Sequence, residues 1–121
     1  MKFCWATLPV KNLNDAIDFY HGVLGLPVCS RHSGHGVEMV MLGEENEPKI
    51  ELICTQAGQK DNTSSSISIG IAVPSIEEAV TLLKKHHIPV ENEPVSPAPN
   101  VRFLFITDPD GYTVQLVEMQ G

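Results

Sequence analysis

Positive charge is scarce in this chain. Eight Lys and Arg stand against fifteen Asp and Glu, a formal net charge of −7, and no basic run is longer than Lys84-Lys85. Such a balance repels phosphate backbones and anionic lipid, so neither nucleic acid nor a membrane is expected as a partner. Long apolar runs are missing as well: nothing approaches the roughly 20 residues of a membrane span. The start, Met1-Lys2-Phe3-Cys4-Trp5, has no apolar signal-peptide region, and the expected location is the cytoplasm. Cysteine occurs only at Cys4, Cys29 and Cys54, an odd and widely spaced set that fits neither a disulfide framework nor a Cys-x-x-Cys site. These three are expected to be reduced, small core residues.

What is present is ordinary globular material. A chain of 121 residues, 42% hydrophobic and 19% charged, is long enough to bury one core, so a single domain over 1–121 is expected. Phe3 to Pro9 reads as a strand, and Leu13, Ala16, Ile17, Tyr20 and Leu24 recur at helical spacing behind Asn12, an N-cap residue type, with Gly25 as the stop. Strands are expected at Val28 to His32, Val37 to Leu42 and Lys49 to Thr55, which makes residues 1–56 a βαβββ module. Residues 57–65, polar and aperiodic, are expected to be a linker.

The pattern then repeats over 66–121. Ser66 to Val73 reads as a strand, and Ser75-Ile76-Glu77-Glu78 as a capping box opening a helix that Pro89 ends. Val10 to Ile17 aligns with Val73 to Val80 at an offset of 63, and Leu26-Pro27-Val28 resembles Ile88-Pro89-Val90. A duplicated α+β unit is the economical reading. At the same offset Trp5 corresponds to Ser68; at 64, Glu51 corresponds to Gln115. Strand alternation puts Phe3, Trp5 and Thr7 on one face with Ser66, Ser68 and Gly70 on its equivalent, while Cys4, Ala6, Ile67, Ile69 and Ile71 take the other. The aliphatic face is expected under the helices. The mixed face, with Trp5, Glu51, Ser68 and Gln115, is expected to line a hollow between two curved half-sheets.

Three stretches carry a family resemblance: Leu13-Asn14-Asp15-Ala16-Ile17-Asp18-Phe19-Tyr20 with Leu24-Gly25-Leu26, then Ile50-Glu51-Leu52, then Asp108-Pro109-Asp110-Gly111-Tyr112 followed by Gln115-Leu116. In these the chain resembles the vicinal oxygen chelate superfamily, which includes glyoxalase I, extradiol dioxygenases, methylmalonyl-CoA epimerase and the fosfomycin and bleomycin resistance proteins. The resemblance implies cupped, partly open barrel-like mixed sheets with the helices outside, and a homodimer. In its metal-using members the four mixed-face positions hold imidazoles and carboxylates around a divalent ion. Here they hold Trp5, Glu51, Ser68 and Gln115, a single carboxylate among neutral groups, so a metal such as Ni or Zn is disfavoured. The arginine that glyoxalase I uses for a glutathione carboxylate aligns with Ser30, leaving Arg31 on the opposite face.

The expected function is therefore metal-independent binding of a small organic molecule by Trp5, Glu51, Ser68, Phe103, Phe105 and Gln115. The alternative is a glyoxalase I-like lyase or isomerase of lactoylglutathione lyase type, with an unusual metal site. In that case Glu51 is the candidate catalytic base, abstracting a proton beside a carbonyl while Ser68 and Gln115 donate to the oxyanion. Trp5 either fills interior space or forms a wall for a planar ligand. Phe103 and Phe105 share one face of the strand Val101 to Thr107 and Arg102 points the other way. His32-Ser33-Gly34-His35 reads as a solvated turn, Asp108-Pro109-Asp110-Gly111 as a structural turn, and Pro94 to Asn100 as a loop able to act as a lid.

Overall fold

A computed structural model describes residues 3–55 and 67–119; the expected linker lies outside the described residues. The chain divides into two compact units, Met1–Thr63 and Ser64–Gly121. In the first, β1 (Trp5–Pro9) leads to α1 (Leu13–Ile17), a π-helical continuation (Asp18–Val23), and then β2 (Val28–Gly34), β3 (Val37–Leu42) and β4 (Lys49–Thr55). In the second, β5 (Ser68–Ala72) and α2 (Ile76–Lys85) are followed by β6 (Val95–Ala98), β7 (Val101–Thr107) and β8 (Thr113–Met119). Each unit is a βαβββ module with one four-stranded mixed sheet. The orders are β1-β4-β3-β2 and β5-β8-β7-β6, with β1 parallel to β4, β5 parallel to β8, and the other pairs antiparallel.

The two modules agree residue by residue. Thr7 lies opposite Glu51 and Gly70 opposite Gln115; Met41 lies opposite Glu51 and Phe105 opposite Gln115. The chain leaves the first strand the same way in both, Val10 donating to the Ile53 carbonyl and Val73 to the Val117 carbonyl, each at 2.8 Å. Both helices begin on a side-chain oxygen, Asn12 accepting from the Asp15 amide and Ser75 from the Glu78 amide, which satisfies one of the free N–H groups of a first turn. Each helix then buries a stripe, Leu13 and Ala16 continuing into Phe19 and Tyr20 in one, Ile76, Ala79 and Leu83 in the other. These meet Leu8, Val40, Leu42 and Leu52 in the first unit and Ile71, Leu104, Ile106, Val114 and Leu116 in the second, all buried. Complete burial of such a side chain contributes about 1.5–3 kcal/mol relative to leaving it in water.

The helix expected to run from Leu13 to Leu24 is α-helical only through Ile17. From Ala16/Ala79 to Leu26/Ile88 the repeat offset falls from 63 to 62, so the first module holds one residue more. The π segment absorbs it: Leu24 N–H reaches back five residues to the Phe19 carbonyl at 3.0 Å. Both helices still close alike, Leu26 bonding the Tyr20 carbonyl and Ile88 the Leu83 carbonyl.

Other expectations need correction. β1 and β5 start at Trp5 and Ser68, because their ladders begin where β4 and β8 begin, opposite Lys49 and Thr113. Phe3 and Ile67 are exposed, and so is Cys4. The cysteines are free as expected but not core residues: Cys29 is exposed in the edge strand β2, at the bulge between Val28 and Ser30, and Cys54 is half-buried. β2 continues to Gly34, and the turn is the pair His35 and Gly36 with φ of 53° and 76°, the positive values a two-residue hairpin requires. The stretch Pro94 to Asn100 contains β6, irregularly paired to β7, where an edge position accommodates Pro97.

Candidate functional site

Along β4, Leu52 is buried on the helix-bearing side, which turns Glu51 to the open side of the sheet. Across the strands the same open row reads Thr7, Glu51, Met41 and Ser30. Thr7 Oγ1 donates to Glu51 Oε1 at 2.8 Å. Trp5 shares this side one step along β1, opposite Lys49 and diagonal to Glu51, and is 50% exposed. Trp5 therefore does not fill the interior of its unit. Lys49 turns its ammonium away to the carbonyls of Glu45, at 3.0 Å, and Glu47.

The second unit repeats the row with different chemistry: Gly70, Gln115 and Phe105. Gln115 is half-buried and its side-chain amide has no hydrogen-bond partner among the described residues of its unit. A Cβ built on Gly70 would come 3.9 Å from Gln115 Oε1, so the space that Thr7 fills beside Glu51 is open beside the amide. Phe103 and Phe105 lie on the same side of β7, their ring centroids 5.5 Å apart and the planes at 71°. Ser68 is exposed one step from Gly70, opposite Thr113. Each unit thus gathers its own candidates: Trp5 with Glu51, and Ser68 with Phe103, Phe105 and Gln115.

Alternation had placed Thr7 on the Trp5 face, but its role beside Glu51 needs the β1–β4 register, which no single strand reveals. The bulge in β2 leaves Ser30 on the open row and sets Arg31 opposite Val40 on the other side. Arg31, His32, Ser33 and Glu38 line a shallow depression of about 250 Å³ by the β2–β3 hairpin. Arg102 points away from the two phenylalanines, as expected, and its guanidinium meets Glu77 of α2 at 2.5 Å. That hydrogen bond holds the Glu77 carboxyl below its usual range and raises the guanidinium.

Two carboxylates are buried: Glu118, which no sequence signal singles out, and Asp108, in the stretch expected to be a structural turn. Glu118, 6% exposed, accepts from the Ile76 amide at the start of α2 at 2.8 Å. Asp108, 4% exposed, accepts through Oδ1 from the amides of Asp110 (2.9 Å) and Tyr112 (2.8 Å), so it organises the turn before β8. Burial pushes the Tyr112 phenol up, and the charges of Asp110 and Asp108 add to it. Among the described residues no three His, Cys, Asp or Glu come together as metal ligands. In the first unit Trp5 and Glu51 offer one anionic donor and in the second Ser68 and Gln115 offer none, so neither pair fits a divalent transition metal.

The family model described as the Glyoxalase/Bleomycin resistance protein/Dioxygenase superfamily matches residues 2–116. Comparison with curated proteins gives no match. Among solved structures, a trypanothione-dependent glyoxalase I of Leishmania major is 25% identical, with 98% of this chain and 86% of that one covered and a TM-score of 0.81. A glyoxalase family protein from Bacillus cereus is 22% identical over 100% and 95% of the two chains, at 0.84. An antibiotic-binding protein from Streptomyces sp. CB03234 is 16% identical over 99% and 97%, at 0.75.

Proposed function

Because the chain belongs to the glyoxalase/bleomycin resistance protein/dioxygenase superfamily, we propose that it binds a small organic molecule on the open sides of its sheets without a divalent metal. Glu51, Ser68 and Gln115 are the polar contacts and Trp5, Phe103 and Phe105 the apolar ones. The observation that carries this reading is the donor chemistry on each open side: in the first unit one carboxylate, already hydrogen-bonded by Thr7, and in the second a side-chain amide that has no hydrogen-bond partner among the described residues. An exposed indole and paired phenyl rings supply area of the kind ligand sites use. The same reading makes the protein a cytoplasmic homodimer, which light scattering and cell fractionation test.

Elemental analysis of purified protein, followed by thermal-shift titration with Ni²⁺, Zn²⁺, Co²⁺ and Mn²⁺, tests metal independence. No stoichiometric metal and no shift are expected. One metal per subunit, lost in Glu51→Ala, overturns the reading. A broad ligand screen read by Trp5 fluorescence and thermal shift then tests binding itself.

A second reading is favoured by the 25% identity to the Leishmania glyoxalase I. In it the chain is a lyase or isomerase of that type and Glu51 takes the proton. It requires turnover of a hemithioacetal that Glu51→Gln abolishes.

A further inference from the structure

The open side of the first sheet has a charge and a shape of its own. Among the described strand residues on this side, which include Trp5, Thr7, Lys49, Met41, Ser30 and His32, Glu51 is the one acid. Its Oε1 is taken by Thr7; among the described residues Oε2 accepts no hydrogen bond. Neither Lys49 nor His32, the basic side chains on this side, pairs with that carboxylate. Lys49 is held by the Glu45 and Glu47 carbonyls, and His32 stands two strands away opposite Met39. Diagonal to the carboxylate stands the exposed indole of Trp5, and beside it the thioether of Met41.

From this arrangement we infer that the first sheet selects a planar organic cation, an aromatic ammonium or iminium, which lays its ring on Trp5 and sets its charge against Glu51 Oε2. The inference deepens the proposed function and rests on it. A cation over an indole face is held by the ring quadrupole, and a carboxylate already fixed by a hydroxyl pairs with it at little loss of rotamer freedom. An anion of the same shape would meet Glu51, with no free lysine or arginine among the described residues of this sheet side to balance it. The molecule's net charge of −7 adds a long-range preference of the same sign.

The probes are three molecules with one ring system and different charge: N-methylquinolinium, quinoline and quinoline carboxylate, titrated near neutral pH and read by calorimetry and by amide shifts in β1 and β4. The cation is expected to bind saturably and at least about tenfold more tightly than quinoline, with no detectable binding of the carboxylate. Glu51→Gln should remove about that tenfold preference of cation over quinoline, and Trp5→Leu should weaken cation and quinoline together. Glu93→Gln, an exposed charge in the other unit, should change little; an equal loss there makes the preference one of net charge and overturns the local site. If quinoline or its carboxylate binds as well as the cation, with shifts at the same strands, the cation inference falls and the binding function stands. If none of the three binds, the cation inference falls, and the broad ligand screen alone decides the binding function.

Discussion

A single carboxylate oxygen organises the turn between β7 and β8. Asp108 Oδ1 takes two backbone N–H groups, and Asp108 N–H returns a bond to the Tyr112 carbonyl at 2.9 Å. Asp108→Ala removes the Oδ1 acceptor from the buried Tyr112 amide and the part-buried Asp110 amide and is expected to destabilise by about 1–3 kcal/mol in urea unfolding, whereas Asp108→Asn, which keeps an acceptor, costs less. Tyr112 gives a pH prediction. Its folded-state pKa is raised above the ordinary 10.0, so the folded state holds the proton more tightly than the unfolded one. Its contribution is fully present below the unfolded value and is lost as pH rises through the folded value. Unfolding followed above about pH 10 should show this loss in the wild type and a flatter profile in Tyr112→Phe. The candidate site was legible to the same depth as these residues were: identity and face could be read, partner could not. Glu51 and Gln115 stood out through the repeat, but Thr7 beside one and empty space beside the other follow from a parallel register set by the whole module.

At the level of elements, strands were read closely wherever alternation met a turn signal. Val37–Leu42, Lys49–Thr55 and Val101–Thr107 have the expected bounds. The misses have physical causes. β6 is short, proline-bearing and irregular, and shows no alternation to find. The π segment looks like an α-helix to any periodicity count, and only the one-residue change in repeat offset marks it. The helix ends yield a prediction from the same comparison. α2 closes with His87 at φ 57°, donating to the Lys84 carbonyl, at the position where the first module has Gly25 at φ 80°. A β-carbon in that left-handed conformation costs about 1 kcal/mol or more, which glycine avoids. His87→Gly is therefore expected to stabilise by about 0.5–1 kcal/mol in thermal or urea unfolding. A loss of stability instead would mean that the His87 side chain contributes more than its backbone strain removes.

Over the whole molecule, the duplication repeats the charge along with the fold. Met1–Thr63 has five Lys and Arg against eight Asp and Glu, and Ser64–Gly121 has three against seven, so neither unit offsets the other. At neutral pH every compact arrangement of this chain brings like charges closer than the unfolded chain does. The favourable pairs are few by comparison: Arg102 with Glu77 is exposed, and such a pair contributes little. Repulsion should then dominate the response to salt. Raising the salt from about 10 mM to about 150 mM shortens the screening length from about 30 Å to about 8 Å and should stabilise the fold by up to about 1 kcal/mol, read as a higher urea midpoint at unchanged slope. Because repulsion fades as carboxylates take up protons, the salt effect should shrink towards pH 5, near the sequence isoelectric point of 5.0. A midpoint that falls with salt at neutral pH would show local ion pairs outweighing the net charge. It would also remove the long-range term from the case for a cationic ligand, leaving Glu51 and Trp5 to select it by contact alone.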